Sequence, residues 1–519
     1  MEESFLFEAL TRWNYFPNQK SKGEELPPVF STRQFTPHVA KLLLSHKPRK
    51  SGYDQVEYYS TRYNNVSRPL SIPHPVGYAH LVNSICSNWK ELNYICENEN
   101  SLIKPEQHND GRILIMDYED SLDKTSRALN LGFGMKFRAH TDITNCFLSI
   151  YTHAIPWAVV GFGIAKLKKD DKKIWFNKLD FHQRIIKRNE TQGIAIGPAT
   201  SNIICEAILA RIDEILRVKY SYFRYIDDYT CYCLTHNEGQ SFLRDLSDEL
   251  HKYKLSLNIK KTEIVELPAT LDSEWILELS TRVPSGSPNE APKKGKSYNA
   301  KESIRYIDFA LQLKKSTPDG SVLKFAVKSI IYQLDEYAIK PVLEYLINLA
   351  SFYPLLLPML SYLLDKPNID QAKYTISFNA ILKENAINRR SDGMCWVIYY
   401  LNKYSLEFSD DAVEEVFNSR DCMAILLIDH SNKYEDKVKV LINSFKKTDL
   451  YELDQYLVLL YQRFLNDKEE NFYADDESFA ILKAENVSFI PAVNFNNPSE
   501  IALELEKFNF DDIFAKLNI

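Results

Sequence analysis

Asp227 and Asp228 stand side by side in "FRYIDDYTCYCL" (223–234), between two runs rich in aromatic and β-forming residues. Upstream, in "MKFRAHTDITNCFLSIYTHAIPWAVVG" (135–161), alternating residues read as a strand ending at Asp142, followed by a turn that can open a helix carrying Phe147. A carboxylate at a strand end is rigidly placed. If that strand lies beside the hairpin whose tip holds Asp227 and Asp228, three carboxylates converge. Such a set suits two Mg2+ ions about 3.5–4 Å apart that clamp the attacking and leaving oxygens of an in-line displacement. Mg2+ takes one or two carboxylates together with substrate phosphates and water. Asp142 and Asp227 would ligate the ions and Asp228 would support them. The plain alternative is an acidic turn, but Asx turns favour Gly or Asn neighbours, and here the neighbours are Tyr225, Ile226 and Tyr229.

The dipeptide alone carries little weight, because Asp-Asp occurs five times, at 170–171, 227–228, 410–411, 475–476 and 511–512. "NFYADDESFA" (471–480) spells nearly the same motif but follows the acidic "NDKEE". Asp475 and Asp476 read as helix-start or loop acids, which a helix dipole favours at its N-terminus.

Other residues could serve a phosphate-bearing substrate. Gln192-Gly193 and Gly197-Pro198 precede what reads as a long amphipathic helix, and the two glycines permit close backbone approach to a base or sugar. Arg62 and Arg68, in "STRYNNVSRPLSIPHPVGY" (60–78), offer multidentate phosphate contact. Lys261, in "KLSLNIKKTEI" (254–264), can give charge or a proton to a leaving pyrophosphate. Singly, the arginines read as surface charges, Gln192 as a polar helix start and Lys261 as part of a solvated face. Only their common order raises them above that.

The elements that must position these residues divide the chain. At 519 residues two or three domains are expected. Of 15 glycines only Gly320 and Gly393 lie beyond residue 296, so tight turns are concentrated in the first part. The fold class expected is α+β: a mixed region over 1–280, a Pro/Gly/Ser/Lys linker over 281–300, and an all-α, repeat-like region over 301–519, where segments such as "VLKFAVKSIIYQL" carry helical spacing. The leader before residue 40 reads as irregular on account of Pro27, Pro28 and Pro37. The net charge of −7 excludes a uniformly basic coat but not a local basic channel. The eight cysteines lack zinc spacing and read as reduced, buried thiols. No apolar run reaches the ~18 residues of a membrane span, and the acidic start lacks a signal-peptide pattern. A cytoplasmic chain with no membrane partner is expected.

In order and content these segments resemble a reverse transcriptase. Tyr225-Ile226-Asp227-Asp228 is similar to that family's Tyr-x-Asp-Asp hairpin, and Asp142 with Phe147 to its first catalytic segment. Gln192-Gly193 and Lys261 fall where the family approaches the incoming nucleotide, and Arg62 and Arg68 resemble residues of the fingers that grip triphosphate. The five segments span roughly 60–265, about two fifths of the chain. The resemblance implies a right-hand fingers–palm core and two Mg2+ ions, with Mn2+ as a substitute, at Asp142, Ile143, Asp227 and Asp228. It implies dNTP contacts by Arg62, Arg68, Ile143, Phe147, Gln192, Gly193 and Lys261. Phe147 would press on the sugar and exclude a 2′-hydroxyl.

"SIYTHAIPWA" (149–158) and "IPHP" (72–75) are further similar to abortive-infection polymerases and defence-associated reverse transcriptases of the type 9-like or Abi-like kind. That finer resemblance implies a HEAT-like helical domain, a homo-oligomer (trimer or hexamer), and antiphage DNA synthesis. Synthesis would copy a noncoding RNA template or, alternatively, proceed without template from a Tyr of the protein, leaving DNA covalently attached. Two other readings compete: an RNA-binding scaffold with a polymerase relic, and a two-metal nuclease, which would need further acids or a His beside the three aspartates.

Overall fold

The computed structural model describes residues 1–17, 25–109, 111–114, 121–270, 274–284, 297–318, 320–473 and 477–491. Asp475, Asp476 and most of the expected linker lie outside the described residues.

Alternation builds the sheet that carries the acids. In β3 (Phe137–Asp142) Ala139 and Thr141 are buried, while Arg138 and His140 on the other face are partly exposed. β4 (Ser221–Tyr225) and β5 (Asp228–Cys233) form an antiparallel hairpin, and the strand order is β4-β5-β3-β6, with β6 at Glu263–Glu266. The buried face is covered by the helix His236–Lys252, which Thr235 caps by accepting the Glu238 N–H at 3.1 Å. Phe242, Leu246 and Leu250 recur every four residues on its inner side.

The helix Ala199–Leu216 departs from the amphipathic expectation: fifteen of its eighteen residues are buried, Glu206 and Asp213 among them. A helix enclosed on all sides keeps polar residues only where it can pair them, and these two acids have a partner in β4. The leader departs as well. It starts with a helix, Glu3–Glu8, running on through Ala9–Trp13, and Pro37 opens the helix Pro37–Leu43 instead of breaking one. Tyr15 stacks on Tyr78 with ring centroids 4.1 Å apart, which places this leader in the core.

A separate two-stranded antiparallel ribbon, β1 (Gln55–Thr61) and β2 (Ser67–Pro73), carries Arg62 in its loop and Arg68 near the start of β2. From residue 297 on, the regular elements among the described residues are helices. Thr375–Ile387 packs on Ser391–Lys403 and on Asp410–Ser419, and Ser391–Lys403 packs on Cys422–His430. The fold is thus mixed α/β and mostly helical. The helical region is also tied to the ribbon. Asp392 accepts the Thr61 N–H at 2.7 Å and its hydroxyl at 2.9 Å, and Ser391 Oγ accepts the Tyr59 N–H at 2.7 Å. A second tie centres on buried Asp454, which accepts from Arg49, from the Asp54 N–H at 2.8 Å and from the Tyr473 hydroxyl at 2.9 Å.

All eight cysteines are free, and seven are buried. No helix among the described residues is long and apolar enough to cross a membrane.

Candidate active site

β3 and β5 pair in a register that sets Asp142 directly opposite Asp228. β4 and β5 pair from Tyr225 and Asp228, leaving only Ile226 and Asp227 in the loop. Ile226 takes φ +58°, a left-handed conformation that a β-branched residue resists, at a cost on the order of 1–3 kcal/mol. The surroundings impose it. Arg224 Nη1 donates to the Ile226 carbonyl at 2.9 Å, and the Ile143 N–H donates to the Asp227 carbonyl at 3.2 Å.

Arg224 is itself fixed, with no solvent exposure. Its guanidinium makes two 2.7 Å bonds to the Glu206 carboxylate and one of 2.7 Å to Asp213 Oδ2. Asp213 also accepts from the Tyr222 hydroxyl at 2.8 Å and the Asn98 amide at 2.7 Å. A buried cation with two carboxylates around it is satisfied in charge and geometry. This brace escapes a motif reading, although an Arg two residues before the loop and two acids seven apart on an apolar helix are its visible trace.

The acids perturb one another. Asp227 is pushed up to about 6, first by burial and then by the charge of Asp228 and, further down, Asp142, with Arg68 opposing. Asp228 is also raised, by burial first, then by Asp142, against His140 and Lys261. Such mutual repulsion is what a cation between the groups would relieve. Lys261 Nζ lies 2.7 Å from Asp142 Oδ2, and its own pKa is raised by that bond. Asp142 Oδ1 is buried with no hydrogen-bond partner. His140 stands beside the group, its Nε2 3.8 Å from Asp228 Oδ1.

In this arrangement no group of three His, Cys, Asp or Glu side chains among the described residues is close enough to hold an ion. The orphaned oxygen of Asp142 and the raised Asp227 and Asp228 nevertheless fit a divalent cation, once Lys261 yields its place on Asp142. Ile143 is 2 % exposed and its N–H is spent on Asp227, so only its carbonyl is suited to an ion.

The remaining residues named from sequence lie on the short helix after Asp142, on the segment 192–197 and on the ribbon. Phe147 is 8 % exposed in the short helix Cys146–Ser149, and its carbonyl accepts the Ile194 N–H at 2.9 Å. Gln192 Nε2 donates to the Ser149 carbonyl at 3.0 Å, and the Gly193 N–H to the Ile150 carbonyl at 2.8 Å. Gln192-Gly193 therefore stitches down the Phe147 loop. Gly193, at φ +78°, sits so close that a Cβ would lie 3.0 Å from the Leu148 carbonyl oxygen. Gly197 differs from expectation: its close approach is to the chain's own Pro17, 2.7 Å from where a Cβ would stand. Arg68 is coupled electrically to both Asp227 and Arg62, and its Nε is buried without a partner. Arg62 is exposed at the start of the ribbon loop, its N–H donating to the Val66 carbonyl at 3.0 Å.

The family model for reverse transcriptase (RNA-dependent DNA polymerase) matches residues 73–310. The chain contains a reverse transcriptase domain. The matched span holds every site residue named above except Arg62 and Arg68, which lie on the ribbon before it. Reverse transcriptase domains use divalent metal ions. No curated protein matches the sequence. Among solved structures, apo telomerase from Candida Tropicalis truncated from its C-terminal domain aligns at 16 % identity over 43 % of this chain and 52 % of that one, with TM-score 0.29. Apo telomerase from Candida Tropicalis aligns at 11 % over 77 % and 69 %, with TM-score 0.30. Telomerase from Candida albicans in complex with a TWJ fragment of telomeric RNA aligns at 11 % over 77 % and 65 %, with TM-score 0.29. The chain spans about half the length of the first of these, 52 %.

Proposed function

We propose that this protein is an RNA-directed DNA polymerase that joins dNTPs to a growing 3′ end. The carrying observation is the β3–β5 register that sets Asp142 against Asp228, with Asp227 held at a braced two-residue loop inside the reverse transcriptase domain. Two Mg2+ ions, or Mn2+ in their place, held by Asp142, the Ile143 carbonyl, Asp227 and Asp228, would supply charge neutralisation at the attacking and leaving oxygens. Arg62 and Arg68 grip the triphosphate, and Arg68 lies near enough to Asp227 for the two charges to act on each other. Phe147, locked by Gln192-Gly193, fills the space a 2′-hydroxyl would need, so deoxynucleotides are selected. The 3′-hydroxyl gives up its proton to solvent as its oxygen bonds to the α-phosphorus and the bond to pyrophosphate breaks, and Lys261 leaves Asp142 and gives its proton or its charge to the departing pyrophosphate.

The finer reading is a cytoplasmic antiphage enzyme, of the abortive-infection or defence-associated kind, that copies a dedicated noncoding RNA as a homo-oligomer. Its support is the resemblance of 149–158 and 72–75 together with a helical region following the polymerase core. The experiment is to purify the protein from its cells and treat it with ribonuclease before adding labelled dNTPs. A discrete bound RNA whose removal abolishes synthesis is expected. Synthesis that survives the treatment, giving DNA that stays with protein until protease is added, would instead establish untemplated priming from a tyrosine.

A further inference from the structure

The segment "KLKKDDKKIWFNK" (166–178) holds six lysines against two aspartates, in a chain whose net charge is −7. Three of these lysines, Lys172, Lys173 and Lys178, line a cleft of about 510 Å3 where the end of the helix Pro75–Ser87 meets the helix Trp175–Ile185. None of the three forms an ion pair among the described residues, and no carboxylate lines the cleft. Neither Asp170 nor Asp171 is part of the lining, and Asp171 takes the Lys173 backbone N–H at 2.9 Å. Trp175 and Phe181 line the same cleft and are both partly exposed. His182 beside them bonds Ser84 and is pushed down to about 3, chiefly by burial, so it adds a neutral ring and no charge. Asn83 and Asn88 supply amides.

We infer that this cleft binds a single-stranded nucleic acid segment, at a site separate from the three aspartates. Unpaired lysines follow a phosphate backbone while aromatic rings stack its bases, the combination used by single-strand binding grooves. The volume is that of a ligand site, in the usual range of about 300–1,000 Å3. An acidic peptide would satisfy the lysines but leave Trp175 and Phe181 without a stacking partner. The aromatic–cation pattern continues on the preceding helix, where Lys166 lies 5.1 Å from the Trp157 ring and 5.3 Å from that of Phe162. None of the lining residues belongs to the candidate active site, so the inference stands whether or not the protein polymerises.

The test is photocrosslinking and equilibrium binding with the full chain. Short 4-thiouridine RNA and 4-thiothymidine DNA oligonucleotides, run in parallel, identify which strand is preferred. Crosslinks are expected in the peptide containing residues 172–182. The triple variant Lys172→Glu/Lys173→Glu/Lys178→Glu should lose those crosslinks, and its salt dependence should be shallower by about 2 in log–log slope, as roughly 0.7 per phosphate contact requires. Trp175→Leu, or Phe181→Leu should the first fail to fold, should weaken binding at this site about tenfold, within the range of one lost stacking contact. Crosslinks confined to other peptides, or unchanged affinity in the lysine variant, would overturn the inference. So would loss in the lysine variant with no effect of either aromatic substitution, which would mark a general electrostatic patch, and so would displacement by a poly-glutamate peptide but not by excess unlabelled oligonucleotide.

Discussion

Lys261 bonds Asp142 across the mouth of the candidate site, Nζ to Oδ2 at 2.7 Å. The lysine side chain is 60 % exposed and the aspartate's 9 %, so the pair sits at the boundary between solvent and the buried acids. A protonated amine and a divalent ion compete for the same oxygen. Removing the amine should therefore help the ion and harm the chemistry. Lys261→Met is expected to bind Mg2+ about two- to fivefold more tightly, the worth of a largely exposed ion pair, while nucleotide incorporation falls on the order of 100-fold through the lost proton or charge donor. Calorimetric Mg2+ titration beside steady-state incorporation separates the two effects. A parallel loss of both would mean that Lys261 only holds Asp142 in place.

Asp227 carries the clearest pH signature. Its pKa is raised to about 6 in the protein without bound ion, burial being the main cause. An acid raised on folding favours the protonated native state, so its contribution to stability is present below the ordinary carboxylate range and is lost as pH rises through 6. A divalent ion must displace that proton. Apparent Mg2+ affinity should therefore drop as pH falls from 7 to about 5, approaching tenfold per unit below 6. Asp228, shifted in the same direction, steepens the trend. Mg2+ affinity that is level across this range would contradict the coupling.

Arg224→Met leaves Glu206 and Asp213 as buried, unpaired acids, and breaking a buried ion pair from one side costs about 3–5 kcal/mol. A large drop in melting temperature is expected. Arg224→Lys keeps a charge but not the planar fork. This variant should fold at low temperature with incorporation well below wild type, because the bond to the Ile226 carbonyl is lost and that residue's left-handed backbone is no longer enforced. Wild-type turnover in folded Arg224→Lys would show that the loop holds its shape unaided.

Asp392 reaches the ribbon from the helical region. Thr61 gives it both a backbone N–H and a hydroxyl, and Arg62 is the next residue. Asp392→Ala should leave both donors unpaired, a penalty of about 1–3 kcal/mol, and loosen the ribbon loop. The expected outcome is a KM for dNTP raised roughly tenfold with kcat little changed. A fall in kcat alone would remove Asp392 from nucleotide positioning.

The candidate site could be proposed from sequence because its residues lie in short segments with distinctive neighbours: Asp142 at a strand end, Asp227-Asp228 between bulky β-formers, Gln192-Gly193 before a helix. What could not be read depends on pairings across long sequence gaps. Arg224 looks like any strand residue until Glu206 and Asp213 are seen to turn toward it. Those same acids made the Ala199–Leu216 helix look amphipathic, when burial on every side had forced them to pair inward. Tyr15 and the leader looked irregular because prolines hid a helix and a stacked aromatic core. Thr61 and Asp392 are too far apart in the chain for any local pattern to join them. The second acidic pair, Asp475-Asp476, lies outside the described residues, and its reading as non-catalytic rests on sequence context.

The most direct measurement is labelled dNTP incorporation by the purified protein with Mg2+, with wild type and Asp227→Asn compared side by side and both shown to be folded. Asn keeps the shape of the loop residue but removes the charge the site depends on. Incorporation by wild type and its loss in Asp227→Asn, by about 100- to 1,000-fold, the scale of one lost electrostatic contact in an active site, is the expected result. Equal synthesis by the two proteins would contradict the assignment of Asp142, Asp227 and Asp228 as the catalytic centre.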